Sequence, residues 1–230
     1  EKLRFIRAID SNAEIQRDFL DDIDIHFLTD FGDALHDDMV DAVILATPHS
    51  LHGEQIVQAA AAGKHVFSEK PLALGKENAI RAVNACTKAG VILGVGHERR
   101  FEPALVEIKN LVNNGALGTI MHVEANFSHD TLAALNSKNW RASKTESPAA
   151  AMTSMGIHLS DSFIHMLGRI AEVHALTVKK VTAWESGDLV TAQMKFKSGA
   201  TGSFSSILAT PFFMRFHVFG TKGWAEARDT

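Results

Sequence analysis

The stretch VDAVILA, residues Val40–Ala46, is an almost continuous apolar run in a chain of 230 residues. Such a run is typical of a strand that is buried on both faces of a parallel sheet. Short apolar runs and helix-like segments alternate on either side of it. The predicted strands are Leu3–Ile9, Ile23–Phe27, Val40–Ala46, Lys64–Phe67 and Val91–Val95, and the predicted helices are Ala13–Leu20, Gly53–Ala62 and Lys76–Ala89. Strands separated by helices predict right-handed crossovers and a Rossmann-like, doubly wound parallel sheet.

The pattern changes after a further predicted helix, Pro103–Asn113, to strands that alternate apolar and polar residues. This alternation is typical of an open, mainly antiparallel sheet, so we expect a second, α+β domain. Its predicted elements are the strands Thr119–Ser128, Val173–Val181, Leu189–Phe196, Gly199–Leu208 and Phe213–Phe219 and the helix Met155–Leu167. We place the boundary near Gly118, which gives domains 1–118 and 119–230. Because the chain stops at Thr230 soon after a turn-like Gly220–Gly223 segment, we expect the second domain to be incomplete at its C-terminus.

The composition excludes several classes of protein. The formal net charge is -4 and no basic cluster stands out, which argues against a nucleic-acid partner. The single cysteine, Cys86, rules out an internal disulfide framework and fits a reducing, cytoplasmic setting. The residues at the N-terminus lack the apolar stretch of a signal peptide, and no run is long enough to span a membrane, so we expect no membrane association.

The acid Asp10 ends the first predicted strand, where doubly wound sheets bind their ligands. An acid at the end of the second strand of a dinucleotide fold binds the adenosine ribose hydroxyls, and its charge repels a 2′-phosphate. The glycine-rich turn of that fold lies roughly 20 residues before the acid. Since nine residues precede Asp10, we expect the first βα unit to be missing from this chain. The alternative is that Asp10 only caps the helix that follows it.

Two other loops end at the same predicted edge of the sheet. Thr47 and Pro48 follow the VDAVILA strand, and His49 and His52 come next at a spacing that could suggest a metal or only the start of a helix. Glu69, Lys70 and Pro71 follow the next strand. Lys70 could polarise a substrate oxygen while Glu69 orients it, or the two could be a surface pair before a turn. The bond before Pro71 is one that can be cis.

A polar cluster marks the helix of the second domain. His158, Asp161 and His165 have i, i+3, i+7 spacing and therefore share one helix face. His158 could act as a general base near neutral pH. A metal site and a core helix with hydrogen-bonded histidines are the alternatives.

Taken together and in order, these segments resemble the Gfo/Idh/MocA family, named for glucose–fructose oxidoreductase, inositol dehydrogenase and a rhizopine-catabolism protein. The most specific motif is Glu69-Lys70-Pro71 after its strand. The other matching segments are Ala8-Ile9-Asp10, Val40–Val43 with Ala46-Thr47-Pro48 and His52, Gly63–Val66, Arg99-Arg100-Phe101, Gly115–Gly118, Trp140-Arg141, Gly156-Ile157-His158 with Asp161, and Gly220–Gly223.

The resemblance implies an oxidoreductase that uses NAD, with NADP as a possibility, on a sugar, inositol or another small polyhydroxylated substrate. It implies that His158 exchanges the hydroxyl proton and that Lys70 stabilises negative charge on the same oxygen. Lys70, His158 and Asp161 would then contact the substrate. Residues at positions that commonly line the cofactor are Asp10, Thr47, Pro48, His52, Glu69, Lys70, Trp140 and Arg141.

Two positions depart from the family pattern. Many members carry an Asp four residues before the histidine, where this chain has Ser154, and Asp161 could substitute for it. An Asn often precedes the Arg-Phe motif, where this chain has Glu98. Some members bind a dinucleotide only to regulate transcription, so a non-catalytic sensor is the alternative function. Keeping both Lys70 and His158 favours an enzyme.

The last strands suggest self-association. Aromatic and aliphatic side chains recur in a region with few charges: Phe204, Ile207, Phe212, Phe213, Phe216 and Phe219. We expect one face of the sheet to cover the helix of the domain and the other to meet another subunit. The sequence thus predicts a homodimer or homotetramer.

Overall fold

The computed structural model describes residues 3–15, 25–135, 138–149, 151–182 and 184–229. Contacts divide the chain into two compact units, Glu1–Gly96 and His97–Thr230. This division comes before the helix Pro103–Asn113, whereas the boundary near Gly118 predicted from the sequence comes after it. The helix goes with the second unit because Leu105 and Ile108 are buried in that unit's core.

The first unit alternates parallel strands with helices, as the sequence predicts. Its elements are β1 (Arg7–Ile9), β2 (His26–Leu28), α1 (Phe31–Leu35), β3 (Ala42–Leu45), α2 (His49–Ala61), β4 (His65–Ser68), α3 (Lys76–Ala89) and β5 (Leu93–Val95). The strands form two parallel sheets, one of order β1-β2 and one of order β3-β4-β5. Residues 16–20 of the predicted helix Ala13–Leu20 and residues 23–24 at the start of the predicted strand Ile23–Phe27 lie outside the described residues.

The VDAVILA run is buried on one face of its sheet. Val43 and Leu45 pack in a core with Ile56 of α2 and Ala82 of α3. The intervening Ile44 is 55% exposed. The prediction of burial on both faces is therefore wrong for this strand as the structure describes it, because the packed helices cover only the face of Val43 and Leu45.

The second unit is built on one six-stranded sheet. Its elements are α4 (Pro103–Asn113), β6 (Ile120–Ser128), α5 (Ile157–Leu167), β7 (Ile170–Val178), β8 (Leu189–Phe196), β9 (Thr201–Ile207), β10 (Phe213–Gly220) and β11 (Gly223–Asp229), with 3₁₀ turns at Glu98–Phe101 and Trp140–Ala142. The strand order is β11-β10-β6-β9-β8-β7, and all neighbours are antiparallel except β6 and β9. The strand β11, which the sequence analysis did not predict, follows the turn Gly220–Gly223. The predicted fold class, a parallel Rossmann-like domain followed by a domain with a mainly antiparallel sheet, is confirmed.

Helices α4 and α5 cover one face of this sheet. At the centre, the fully buried ring of Phe163 on α5 packs edge-on or tilted against Phe196, Phe204 and Phe216, with ring centroids 6.4, 6.0 and 5.5 Å away. These rings come from β8, β9 and β10. The aromatic contacts thereby fix the position of α5, and of its polar residues, against the sheet.

A buried carboxylate closes the loop between β7 and β8. Asp188 accepts hydrogen bonds from the backbone N–H groups of Val181 at 2.6 Å and Thr182 at 2.7 Å, and also from that of Lys180. Burial alone would favour the neutral acid, but these N–H groups outweigh it and hold the pKa of the Asp188 carboxyl below its usual range.

Within the described parts of the chain, no helix combines the length and apolar character needed to cross a membrane.

Candidate functional site

The loops after β3, β4 and β5 begin at the same edge of their sheet. The parallel register aligns Leu45 with Ser68 and Ser68 with Val95, so these three strands end side by side. The loops that follow carry Thr47, Glu69 with Lys70, and Gly96. This is the edge at which doubly wound sheets bind their ligands.

Asp10 follows β1 and accepts a hydrogen bond from the backbone N–H of Asn12 at 2.8 Å. This bond forms a local turn, as the helix-cap alternative requires. A carboxylate has about four acceptor sites, so one backbone bond leaves Asp10 able to bind ribose hydroxyls as well.

His52 is completely buried, on the first turns of α2. Its Nδ1 lies 2.7 Å from the carbonyl oxygen of Pro71, and its Nε2 lies 2.9 Å from the carbonyl oxygen of Thr47. The ring therefore links the loops after β3 and β4. Thr47 is further fixed because its hydroxyl donates to the side chain of Gln55 at 2.5 Å. The structure shows that His52 holds these two loops together, and its predicted place at the cofactor stays a prediction.

The loop that carries Glu69 and Lys70 is held by local contacts. The backbone N–H of Lys70 lies 3.3 Å from a carboxylate oxygen of Glu69, and the Lys70–Pro71 peptide bond is cis, which confirms that expectation. A side chain at Gly96 would place its Cβ only 3.2 Å from the Glu69 carboxylate. Glycine at position 96 thus lets Glu69 lie against the loop after β5, and Lys70 is half-buried beside it.

His158 is the centre of the polar cluster in the second unit. It lies on the first turn of α5 and is 5% exposed. Its Nδ1 is 3.6 Å from Oε1 of Glu98, and its ring lies 6.1 Å from that of Phe127 on β6 and 6.3 Å from that of His97. A mostly buried imidazole with a carboxylate beside one nitrogen has the arrangement of a general acid–base group.

Asp161 binds an arginine. Arg100 donates to both of its carboxylate oxygens, from Nε at 2.6 Å and from Nη2 at 2.5 Å. Hydrogen bonding to Asp161 raises the pKa of the Arg100 guanidinium. His97 approaches the same carboxylate at 3.8 Å. Asp161 therefore fixes the Glu98–Phe101 turn to α5, and whether it also contacts substrate stays a prediction.

The third residue of the predicted helix face, His165, is half-buried on α5. Burial lowers its pKa, and the positive charges of Arg100 and Lys109 lower it further. It therefore favours the neutral form, as a packing residue would.

A π-helical turn, Met152–Gly156, comes immediately before α5. π-turns are rare and often occur at functional sites. Gly156 lies so close to the sheet that a Cβ on it would be 3.2 Å from the ring of Phe204. The Gly156-Ile157-His158 motif thus combines a close approach to the sheet with the placement of His158.

Trp140 and Arg141 form a 3₁₀ turn in the second unit. Asn139 caps the turn by accepting from the backbone N–H of Arg141 at 3.0 Å, and the guanidinium of Arg141 stacks 4.2 Å from the centre of the Trp140 ring. Their predicted role at the cofactor stays a prediction.

The residues that follow the strands of the first unit have the chemistry to hold a nicotinamide dinucleotide. Asp10 would offer a carboxylate to ribose hydroxyls, the loop after β3 would offer a hydroxyl and carbonyls, and Lys70 would offer an ammonium group. Among the residues described here, no group of three or more His, Cys, Asp or Glu side chains is arranged to hold a metal ion.

Two family models match the chain. Residues 1–97 match the model described as an oxidoreductase family with an NAD-binding Rossmann fold, and residues 105–226 match the GFO/IDH/MocA C-terminal domain. The first match gives the first unit the NAD-binding Rossmann fold that the sequence analysis predicts. Both matches fall largely within the two compact units.

Similar proteins are enzymes by name. The chain is 33% identical over 98% of its length to an uncharacterised oxidoreductase, YrbE, of Bacillus subtilis strain 168, and spans 67% of that protein. It is 32% identical over 83% of its length to scyllo-inositol 2-dehydrogenase (NAD(+)) of the same organism, of which the match covers 56%. Among solved structures, levoglucosan dehydrogenase in complex with NADH and levoglucosan is similar with a TM-score of 0.88 and 25% identity, over 97% of this chain and 64% of that one. These names do not favour the regulatory alternative.

Proposed function

This chain belongs to the Gfo/Idh/MocA family of oxidoreductases, and on that premise we propose that it transfers hydride between NAD and a hydroxyl-bearing carbon of a sugar, inositol or related small polyol. The observation that carries the proposal is the mostly buried His158 beside a carboxylate, in a chain whose other unit has the NAD-binding fold. The similar scyllo-inositol and levoglucosan dehydrogenases support this class of substrate.

Each site residue has a distinct part in the proposed reaction. His158 takes the proton of the substrate hydroxyl during oxidation and returns it during reduction. Lys70 stabilises the negative charge that develops on the same oxygen. NAD, when bound, accepts or supplies the hydride. The proposal requires that Lys70 and His158, which belong to different units, reach one substrate oxygen.

Asp10 is proposed to set the preference for NAD. Its carboxylate accepts hydrogen bonds from the 2′-hydroxyl of the adenosine ribose and repels the phosphate that NADP carries there. The loops held by His52 would position Thr47, Pro48 and Glu69 along the dinucleotide.

The strand order supports the placement of the dinucleotide. In a dinucleotide fold of order 3-2-1-4-5-6, β2 and β1 correspond to positions 3 and 2, and β3, β4 and β5 correspond to positions 4, 5 and 6. The chain spans 67% of YrbE and 56% of the scyllo-inositol 2-dehydrogenase to which it is similar, so the functional assays use the protein expressed from its complete gene.

A substrate panel tests the proposed function. Sugars, inositols and their keto forms are each offered with NAD and NADP, and reduced nicotinamide is followed by its absorbance. We expect turnover of at least one polyhydroxylated compound, with NAD preferred. Tight dinucleotide binding without turnover of any panel member, combined with DNA-dependent effects, would instead support the sensor.

The open face of the six-stranded sheet is proposed to join subunits. Phe204 and Phe216 are buried under the helices, whereas Phe213 and Phe219 lie on the opposite face and Trp224, paired with Phe219, is 65% exposed. Aromatic side chains that are partly or largely exposed on one face of a sheet are typical of association surfaces. Light scattering at micromolar concentration should give a dimer or tetramer, and a monomer would contradict this proposal.

A further inference from the structure

Glu98 lies beside the proposed catalytic histidine. Its Oε1 is 3.6 Å from Nδ1 of His158, and the glutamate begins the 3₁₀ turn Glu98–Phe101. The Glu98 side chain is 62% exposed, whereas that of His158 is 6% exposed. The separation is that of an ion pair and is slightly too long for a hydrogen bond. An exposed glutamate can close this gap by rotating, and catalytic hydrogen bonds often tighten only when substrate is bound.

The other acids of this cluster are held by arginines. Asp161 receives both donors of Arg100, and Glu102 is paired with Arg99. Arg99 also approaches Glu98, with its Nε 3.7 Å from the same Oε1. From β6, the side chain that faces His158 is the apolar ring of Phe127. Of the acids described in this cluster, Glu98 is the one placed beside an imidazole nitrogen of His158.

The helix itself offers no charge one turn before His158. Position 154 is Ser, and a hydroxyl cannot balance the positive charge that an imidazole gains when it accepts a proton. The preceding π-turn also changes the way that residues 152–156 project relative to α5. Asp161, one turn after His158, is held by Arg100, so a carboxylate acting on His158 must come from another element.

We propose that Glu98 is the positioning residue for His158, a role that rests on the proposed oxidoreductase function. Its carboxylate accepts the Nδ1–H of His158, which leaves Nε2 as the atom that faces the substrate hydroxyl. During oxidation the substrate O–H bond breaks and its proton passes to Nε2, the C–H bond breaks and its electron pair passes with the hydrogen to the nicotinamide ring of NAD, and the C=O bond forms. Glu98 then balances the charge of the imidazolium.

Kinetics on the protein expressed from its complete gene test this role. Glu98→Gln keeps the size of the side chain and removes its charge. We expect kcat to fall by about one to two orders of magnitude, with KM nearly unchanged. This loss is part of the roughly 10²–10⁴-fold rate enhancement that general acid–base catalysis supplies. The acidic limb of the kcat/KM profile should move to lower pH, because the imidazolium loses a neighbouring negative charge while His97, Arg99 and Arg100 remain.

Rescue and control variants separate this role from a structural one. Glu98→Asp should retain much more activity than Glu98→Gln, and Ser154→Asp added to Glu98→Gln should restore part of kcat. Glu107→Gln, which removes an exposed charge on α4, is the matched control and should leave kcat and the pH profile unchanged. A Glu98→Gln enzyme with kcat within twofold of the wild type and an unmoved acidic limb would overturn the proposal.

A measurement without turnover distinguishes failure of this proposal from failure of the proposed function. The ring resonance of His158 is assigned in NMR spectra by its loss in His158→Asn and is titrated in the wild type and in Glu98→Gln. Its titration should move to lower pH in Glu98→Gln, even if no substrate is ever turned over. An identical titration in the two proteins would overturn the pairing of Glu98 with His158.

Discussion

Replacing Asp161 by Asn should destabilise the second unit by about 2 kcal/mol. The change removes the charge that receives two hydrogen bonds from Arg100, at 2.6 and 2.5 Å. Hydrogen bonds to charged groups contribute roughly 1.5–3 kcal/mol. The Asp161 side chain is 12% exposed and that of Arg100 is 37% exposed, so water can solvate part of the guanidinium in the variant. This partial solvation keeps the loss well below the roughly 3–5 kcal/mol expected for breaking a fully buried pair.

Tryptophan fluorescence measures this loss of stability in the second unit. All three tryptophans, Trp140, Trp184 and Trp224, lie in the second unit, and the chain has no tyrosine. With a urea dependence of about 1–3 kcal/mol per molar, a loss of about 2 kcal/mol lowers the midpoint by about 1 M. Asp130→Asn, at an exposed position after β6, is the matched control and should leave the midpoint unchanged. If the Asp161→Asn midpoint equals that of the control, the ion pair does not stabilise this unit.

Three further changes test other parts of the account. Asp188→Asn should lower the free energy of unfolding by about 1.5–3 kcal/mol at neutral pH. Because folding lowers the pKa of Asp188, the stabilisation that its carboxylate provides is present above the unfolded-state pKa of about 3.9. This stabilisation is lost as the pH falls through the folded-state pKa. Equal urea midpoints for this variant and the wild type at neutral pH would contradict that assignment. Gly156→Ala should lower the stability by about 1 kcal/mol or more, since its Cβ would crowd the buried ring of Phe204, and unchanged thermal unfolding would refute the close approach. Asp10→Ser combined with Ser11→Arg should shift the kcat/KM ratio toward NADP by about tenfold or more, equivalent to roughly 1.4 kcal/mol, and a wild type that already prefers NADP strongly would show the Asp10 assignment to be wrong.

The sequence predicted most elements of the fold because their hydrophobic periods are long and regular. The helices at Lys76–Ala89 and Pro103–Asn113 and the strand at Leu189–Phe196 have the predicted bounds. The short helix α1 and the strand β11 were missed. The first has only five residues, too few for a helical period, and the second follows a turn close to the end of the chain.

The candidate site was only partly accessible to sequence reasoning. The loop position of Lys70 follows from the end of a predicted strand. The helix position of His158 follows from the resemblance of Gly156-Ile157-His158 to the family motif. The contact of Glu98 with His158 joins positions 60 residues apart, which no local period can indicate. The sequence signal for this contact is Ser154, which replaces the Asp of the family pattern and thereby indicates that another acid would have to serve as the partner of His158. The burial of His52 between two carbonyls likewise depends on a loop 19 residues away.

The most direct test of the central claim, that Lys70 and His158 act on one substrate oxygen, is a double-mutant cycle in kcat. Lys70→Ala, His158→Ala and the double variant are compared with the wild type, all expressed from the complete gene, on a substrate found with the panel and with NAD binding checked separately. We predict that each single change lowers kcat by about 10²–10⁴ while NAD binding is nearly intact, and that the double variant is little worse than the slower single variant. Wild-type turnover in both single variants, or losses that simply multiply in the double variant, would contradict the account.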